Sequence, residues 1–429
     1  MMKRSQMMLG TAVVASALLM GGCQPGDDTT DYDAVGQDEK SSGGESSGDG
    51  KDAAKSDDGH AQEVAAAQPR LVTTYDGGIM TLDATTLDVI ADTKLEGFNR
   101  LNPVGDDRHL MVSVAEGFRL FDAGVWTQPH GDHTHSYAAD PVLTDTVFDT
   151  ELPGHVVSHD GSTVLFGDGD GKIQTFDTDD FAEDEPTPEV LEAEEPHHGV
   201  AVRLSGGKTL HTIGTEDERA GAKVIDKSGK EIARSEECPG VHGEASAKDE
   251  VIALGCEDGI LLFKDGKFEK LDAPDDFGRI GNQAGDEDSR YVLGDYKVDE
   301  DAELERPERV SVTDTKENTL SLVDLGASYS FRSLDRGPEG EGVVLTTDGT
   351  LKIIDPATAS VTEEYPVIDA WEEPVEWQKA RPTLFVQDEV AYVSDPAEQV
   401  IHIVDLDDGE VMASEKLPHA TNELTGVAG

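Results

Sequence analysis

Three imidazoles and a carboxylate fall within six residues at His130-Gly131-Asp132-His133-Thr134-His135, in a chain with only 13 histidines among 429 residues. Residues two apart on an extended segment point the same way, so His133 and His135 share a face. Gly131 lets the backbone fold so that His130 can join them. Neutral imidazole nitrogens suit zinc, copper or nickel, and zinc takes four ligands in a tetrahedron. Three donors from this run leave one position for a distant histidine, a carboxylate, water or an incoming protein. A solvated polar loop is the competing reading, and so many imidazoles in one short run argue against it.

Further histidines recur at the starts of apolar strand segments: His155 and His159, His197 and His198, His242, and His419. His155, His198 and His242 are the expected distant ligands, one of them closing the shell begun by the 130–135 run. His159 precedes Asp160-Gly161 and reads as an exposed turn residue, His211 as packed within a strand, and His60, His109 and His402 as incidental. Asp168-Gly169-Asp170-Gly171 looks like half a calcium loop, but no glutamate closes it at the required distance, so it reads as hairpin-turn chemistry. Paired acids such as Glu192, Glu194 and Glu195 read as a solvated insertion. A nucleophile elbow, a phosphate loop and a His-Glu-x-x-His helix are all missing from the sequence.

The elements that would position these residues are strands. From Arg70 onward a short apolar strand ends in an apolar residue and an aspartate, then a turn, at Leu82-Asp83, Phe121-Asp122, Phe176-Asp177, Ile225-Asp226, Val323-Asp324, Ile354-Asp355 and Val404-Asp405. Phe263-Lys264-Asp265-Gly266 is a variant with one residue inserted. Between Asp83 and Asp405 the mean period, allowing for that variant, is about 46 residues, the size of a β-propeller blade of several short strands. Helical periodicity is scarce past the N-terminus, and acidic stretches around Phe181 to Glu195 and Asp299 to Glu308 interrupt the pattern as insertions. An all-β propeller of eight blades follows, seven if one irregular unit belongs to a neighbour. The stretch Leu417 to Ala428 is expected to return and complete the first blade, which removes two exposed edges. In such a ring the innermost strands line the axis, so one residue per blade can converge there.

The N-terminus reads as an export signal: Lys3 and Arg4 precede an apolar run from Leu9 to Met20, and Gly21-Gly22-Cys23 follows. Small residues before a cysteine are similar to a bacterial lipobox, with Met20 in place of the usual leucine, so residues 1–23 are taken as a lipoprotein signal and Cys23 as the lipidated residue. Residues 24–69 are rich in Gly, Ser and acids and poor in large apolar residues, which predicts a flexible tether. Residues 70–429 then form the propeller domain. A formal net charge of −56 argues against nucleic acid, attracts cations, and equally suits a saline habitat. With Cys23 lipidated, Cys238 and Cys256 are the only other cysteines, and in an oxidising compartment a disulfide is expected between them. Closing that 18-residue loop is worth roughly 3 kcal/mol in the chain-entropy model.

An exported propeller with a His-Gly-Asp-His-x-His run between early blades, and histidines opening inner strands, resembles the AztD zinc metallochaperones over roughly Arg70 to Gly429. The resemblance implies a protein that binds Zn²⁺ outside the cytoplasmic membrane and passes it to the solute-binding protein of a zinc ABC importer. It carries over firmly to His130, His133 and His135, and more loosely to the inner-strand histidines. One departure is the tether, which offers only His60 where the family can have a mobile His-rich segment. The expected protein is therefore a lipid-anchored monomer at the cell surface or in the periplasm, and not an enzyme. A metal-dependent lactonase or lyase on the same scaffold, and a surface interaction propeller, are the alternatives. The donors alone would accept copper or nickel as well as zinc.

Overall fold

The computed structural model describes residues 61–182 and 186–429, all within a compact unit spanning Gly48–Gly429. The expected signal peptide, Cys23 and most of the expected tether lie outside the described residues. Among these residues the fold is all-β: eight antiparallel sheets built on four strands each, and one further three-stranded sheet. Within each four-stranded sheet the strands lie side by side in an antiparallel up-and-down order, the unit of which β-propellers are made, though the first sheet takes one strand from the chain's end and the second is interrupted by an inserted hairpin. No helix among the described residues is long and apolar enough to cross a membrane.

The second sheet runs through Leu101–Pro103, His109–Val114, Gly117–Asp122 and Val142–Asp149, and the third through Pro153–His159, Ser162–Gly167, Lys172–Asp177 and Glu189–Glu192. The fourth opens with Ala201–Leu204 and the fifth with His242–Ala247. In the first sheet the chain's last strand, Leu424–Val427, pairs with Arg70–Tyr75, placing Val427 opposite Arg70 and Leu424 opposite Thr73. Leu424–Val427 also lies against Leu384–Gln387 of the eighth sheet and Leu101–Pro103 of the second.

Burial explains the layout. Central strands such as Arg70–Tyr75, His109–Val114 and Val251–Cys256 are buried along their whole length, whereas an outer strand such as Val89–Lys94 is largely exposed. The apolar clusters sit between sheets: Val202, Leu210 and Val224 of the fourth meet Ile252, Leu254 and Leu261 of the fifth, and Leu71 and Leu82 of the first meet Tyr392 and Ile401 of the eighth. His109–Val114 and Val251–Cys256 are mostly apolar, as strands covered on both faces must be, while Arg70–Tyr75 also buries Arg70, Thr73 and Thr74.

The recurrent aspartates make the expected turns. Asp83 Oδ1 accepts from the Thr85 and Thr86 amides at 2.8 and 2.9 Å, and Asp355 Oδ1 from the Ala357 amide at 2.8 Å. This is the local side-chain-to-backbone bonding that makes aspartate a turn residue. They close the third strand of most sheets. Val323-Asp324 instead ends the fourth strand of the sixth sheet, and Asp314 holds the equivalent place after the third.

Cys238 and Cys256 form a disulfide with Cα atoms 4.9 Å apart. Both are fully buried in the cluster between the fourth and fifth sheets, so the bond ties the connection between those sheets to the strand Val251–Cys256.

Candidate metal centres

The 130–135 run is a β-hairpin inserted in the second sheet, between its third strand and its outer strand Val142–Asp149. Strands Val125–His130 and His133–Ala138 pair with His130 opposite His133 and Gln128 opposite His135. Gly131 has φ of +67°, the conformation that a two-residue hairpin turn demands at its first position and that glycine adopts without strain. The stem is stiffened by Trp126 stacked on Tyr137 with ring centroids 5.4 Å apart, and by the Arg108 guanidinium 4.0 Å from the Trp126 ring.

At the tip the three imidazoles meet. His133 Nε2 lies 3.0 Å from His135 Nε2, which lies 3.3 Å from His130 Nδ1. Two ligand nitrogens in a tetrahedral zinc shell sit about 3.3 Å apart, from Zn–N bonds of about 2.0–2.1 Å. The free nitrogens are thus already spaced for one ion. Carboxylates hold the opposite ring edges: His135 Nδ1 donates to Glu63 Oε1 at 2.7 Å, and His133 Nδ1 to Asp132 Oδ1 at 3.2 Å. Such bonds fix tautomer and ring orientation in metal-ligating histidines. The cluster faces solvent, with the His133 side chain 55% and that of His135 31% exposed.

His155, His198 and His242 form a second and separate cluster, their candidate ligand atoms all within 4.8 Å of one another. Each comes from or just before the first strand of a different sheet, the third, fourth and fifth. Ring centroids stand 4.8 Å apart for His155 and His198, 4.9 Å for His198 and His242, and 5.6 Å for His155 and His242. Every Nδ1 donates to a protein oxygen: His155 to the Gly199 carbonyl at 2.9 Å, His198 to Asp168 Oδ2 at 2.5 Å, and His242 to the Gly281 carbonyl at 2.5 Å. That leaves each Nε2 to coordinate, the arrangement a second shell imposes on zinc-binding histidine.

Glycines make the approach possible. A Cβ at Gly154 would fall 2.1 Å from Asp168 Oδ1, and Gly243, at φ +68°, sits at the register shift between His242, opposite Gly255, and Glu244, opposite Leu254. Burial, followed by the charge of His198, pushes the His155 imidazole down to about 4. Burial first, then His198 and His155, holds His242 well below the usual imidazole range. Both are therefore neutral at physiological pH and have lone pairs to give.

The six predicted histidines thus form two triads, where the sequence reading expected one of His155, His198 or His242 to close the shell of the hairpin. The physical reason is the insertion: the hairpin leaves the second sheet beside its outer strand, whereas the other three open first strands. His197, next to His198, takes no part, because its Nδ1 donates to the Glu195 carbonyl at 2.8 Å and its Nε2 bonds Thr212 Oγ1 at 2.9 Å. His159 is buried rather than exposed, with Nδ1 bonded to Glu287 Oε1 at 2.5 Å, and His109 is buried against Asp106. His211 is packed, as expected. Asp168, read from the sequence as turn chemistry, and Glu63, read as tether, instead bond to the His198 and His135 rings and orient them.

No protein-family model matches the chain. A curated relative, the zinc chaperone AztD of Citrobacter koseri, is 26% identical over 338 residues, which cover 74% of this chain and 77% of that protein. The chain resembles AztD. The crystal structure of Citrobacter koseri AztD superposes with a TM-score of 0.74 at 23% identity, covering 85% of this chain and 99% of the other. Apo AztD from the same organism gives 0.72 at 22% identity, covering 84% and 98%. At these identities the superpositions show a shared fold.

Proposed function

We propose that this chain is an extracytoplasmic zinc metallochaperone that carries Zn²⁺ and hands it to the solute-binding protein of a zinc ABC importer. The observation that carries the reading is the His155–His198–His242 triad, where three Nδ1 atoms are spent on protein oxygens and three Nε2 atoms remain for one ion. An all-imidazole, half-buried donor set suits zinc, which needs no particular geometry beyond four ligands. The likeness to AztD, named a zinc chaperone, supports zinc over copper or nickel and carriage over catalysis.

The two triads divide the work. The half-buried triad, whose members come from three different sheets, holds zinc, while the more exposed hairpin offers an ion to a partner. Transfer goes by ligand exchange: an incoming imidazole or carboxylate binds as one hairpin histidine leaves, so free zinc is not released. The eight meander sheets are the blades of a single ring, sealed where Leu424–Val427 joins Arg70–Tyr75. Residues 1–23 with Cys23 provide a lipid anchor, residues 24–69 a tether, and the protein works as a monomer on the outer face of the membrane. Its −56 charge concentrates cations around it.

The test is a transfer race. Zinc-loaded protein is mixed with the apo solute-binding protein and, separately, with a chromogenic chelator. Delivery to the partner faster than spontaneous loss to the chelator supports the chaperone reading, and equal rates refute it.

A further inference from the structure

The three-residue strand Gln62–Val64 lies within the expected tether, yet it adds a third strand to the metal hairpin. It pairs antiparallel with His133–Ala138, placing Gln62 opposite Ala138, Glu63 opposite Tyr137 and Val64 opposite Ser136. Little apolar burial holds it there, since Gln62 and Glu63 are exposed and Val64 only half-buried. Its one side-chain tie to the hairpin tip is Glu63 Oε1 accepting from His135 Nδ1 at 2.7 Å. Ala65, Ala66 and Ala67 follow and, with His133 and His135, line an open groove of about 600 Å³ that gives a partner access to the imidazoles.

We infer that Gln62–Val64 is a zinc-responsive strap and that Glu63 is the positioning residue through which the hairpin metal site senses and secures it. The inference rests on the hairpin being a zinc site. A cation on His135 Nε2 withdraws charge from the ring and makes Nδ1–H a stronger donor, so its bond to the Glu63 carboxylate tightens when zinc is bound. The coupling is reciprocal: a docked strap raises zinc affinity, and bound zinc holds the strap. The loaded hairpin therefore fixes the end of the segment that leads to the N-terminus. An empty hairpin lets go of it and exposes the edge of His133–Ala138 for strand pairing with another protein.

Hydrogen exchange of the full chain, with and without zinc, reads this directly over residues 61–67. Zinc slows exchange there in the native protein and leaves it unchanged in Glu63→Ala, whose hairpin affinity falls about 10–100-fold while the His155–His198–His242 triad binds as before. Exchange that ignores zinc in the native protein, or native affinity in Glu63→Ala, overturns the inference. The triple variant His130→Ala, His133→Ala, His135→Ala separates the two failures. If it retains all the zinc of the native protein, the hairpin is not a zinc site; if it loses an equivalent while Glu63→Ala binds normally, only the strap inference fails.

Discussion

Asp168 Oδ2 accepts a hydrogen bond from His198 Nδ1 at 2.5 Å, joining a turn in the third sheet to a residue that opens the fourth. That bond sets which way the imidazole faces. Its Nε2 is thereby directed to His155 and His242, and the backbone amide of Gly199 also approaches Asp168, at 3.3 Å. Replacing Asp168 by Asn keeps the shape but exchanges an acceptor anion for a neutral amide. Zinc affinity at the His155–His198–His242 triad is expected to fall about 10–100-fold, with stoichiometry unchanged, in a competition titration against a chelator of known affinity. Native affinity in Asp168→Asn would remove the carboxylate from the account.

The disulfide carries its own prediction. Cys238 and Cys256 are fully buried beside Val202, Leu254 and Leu261, so their replacement by Ala opens little polar surface and mainly frees the unfolded chain. Urea unfolding of Cys238→Ala, Cys256→Ala is expected to show a loss of about 3 kcal/mol, and reductant should shift the native protein toward the same curve.

A buried ion pair sets a different stability test. Arg381 and Glu373 are 1% and 3% exposed at their side chains, with Nη1 to Oε1 at 2.7 Å. Arg381 also donates to the carbonyls of Glu376 and Trp377 at 2.9 Å each, so removing the carboxylate strands a guanidinium that cannot reach water. Glu373→Ala is expected to cost on the order of 3–5 kcal/mol in the same unfolding assay. A loss well under 1 kcal/mol would mean that the charge finds another partner.

Acid stability follows from His211. Burial brings this imidazole down to about 4 in the folded protein, below its ordinary 6.5. The unfolded chain takes up the proton first, so its contribution to stability is complete above pH 6.5 and is lost as pH falls from there toward 4. Thermal melts across that window should therefore fall more steeply for the native protein than for His211→Gln. Parallel pH profiles would contradict the assignment.

How much of this was legible in the sequence depends on distance along the chain. The aspartate turns are local, so their period gave the strand units, apart from the sixth sheet, where the stretch between Asp295 and Arg309 displaced the repeat by one strand. The hairpin triad was legible for the same reason, since spacing alone places His133 and His135 on one face. The His155–His198–His242 triad spans three sheets, so its members could be named from their places at strand starts, but not their grouping. Asp168 and Glu63 were hidden because turn and tether composition fully account for an aspartate or glutamate until a remote imidazole is brought against it. The bond of buried His159 to Glu287, 128 residues away, escaped for the same reason.

The central claim is that the six histidines make two independent zinc sites. Native mass spectrometry of zinc-saturated protein tests it most directly, comparing the native chain with His130→Ala, His133→Ala, His135→Ala and with His155→Ala, His198→Ala, His242→Ala. The account predicts that each triple variant loses one zinc equivalent and keeps the other. Loss of all zinc from either variant, or of none from both, would contradict it.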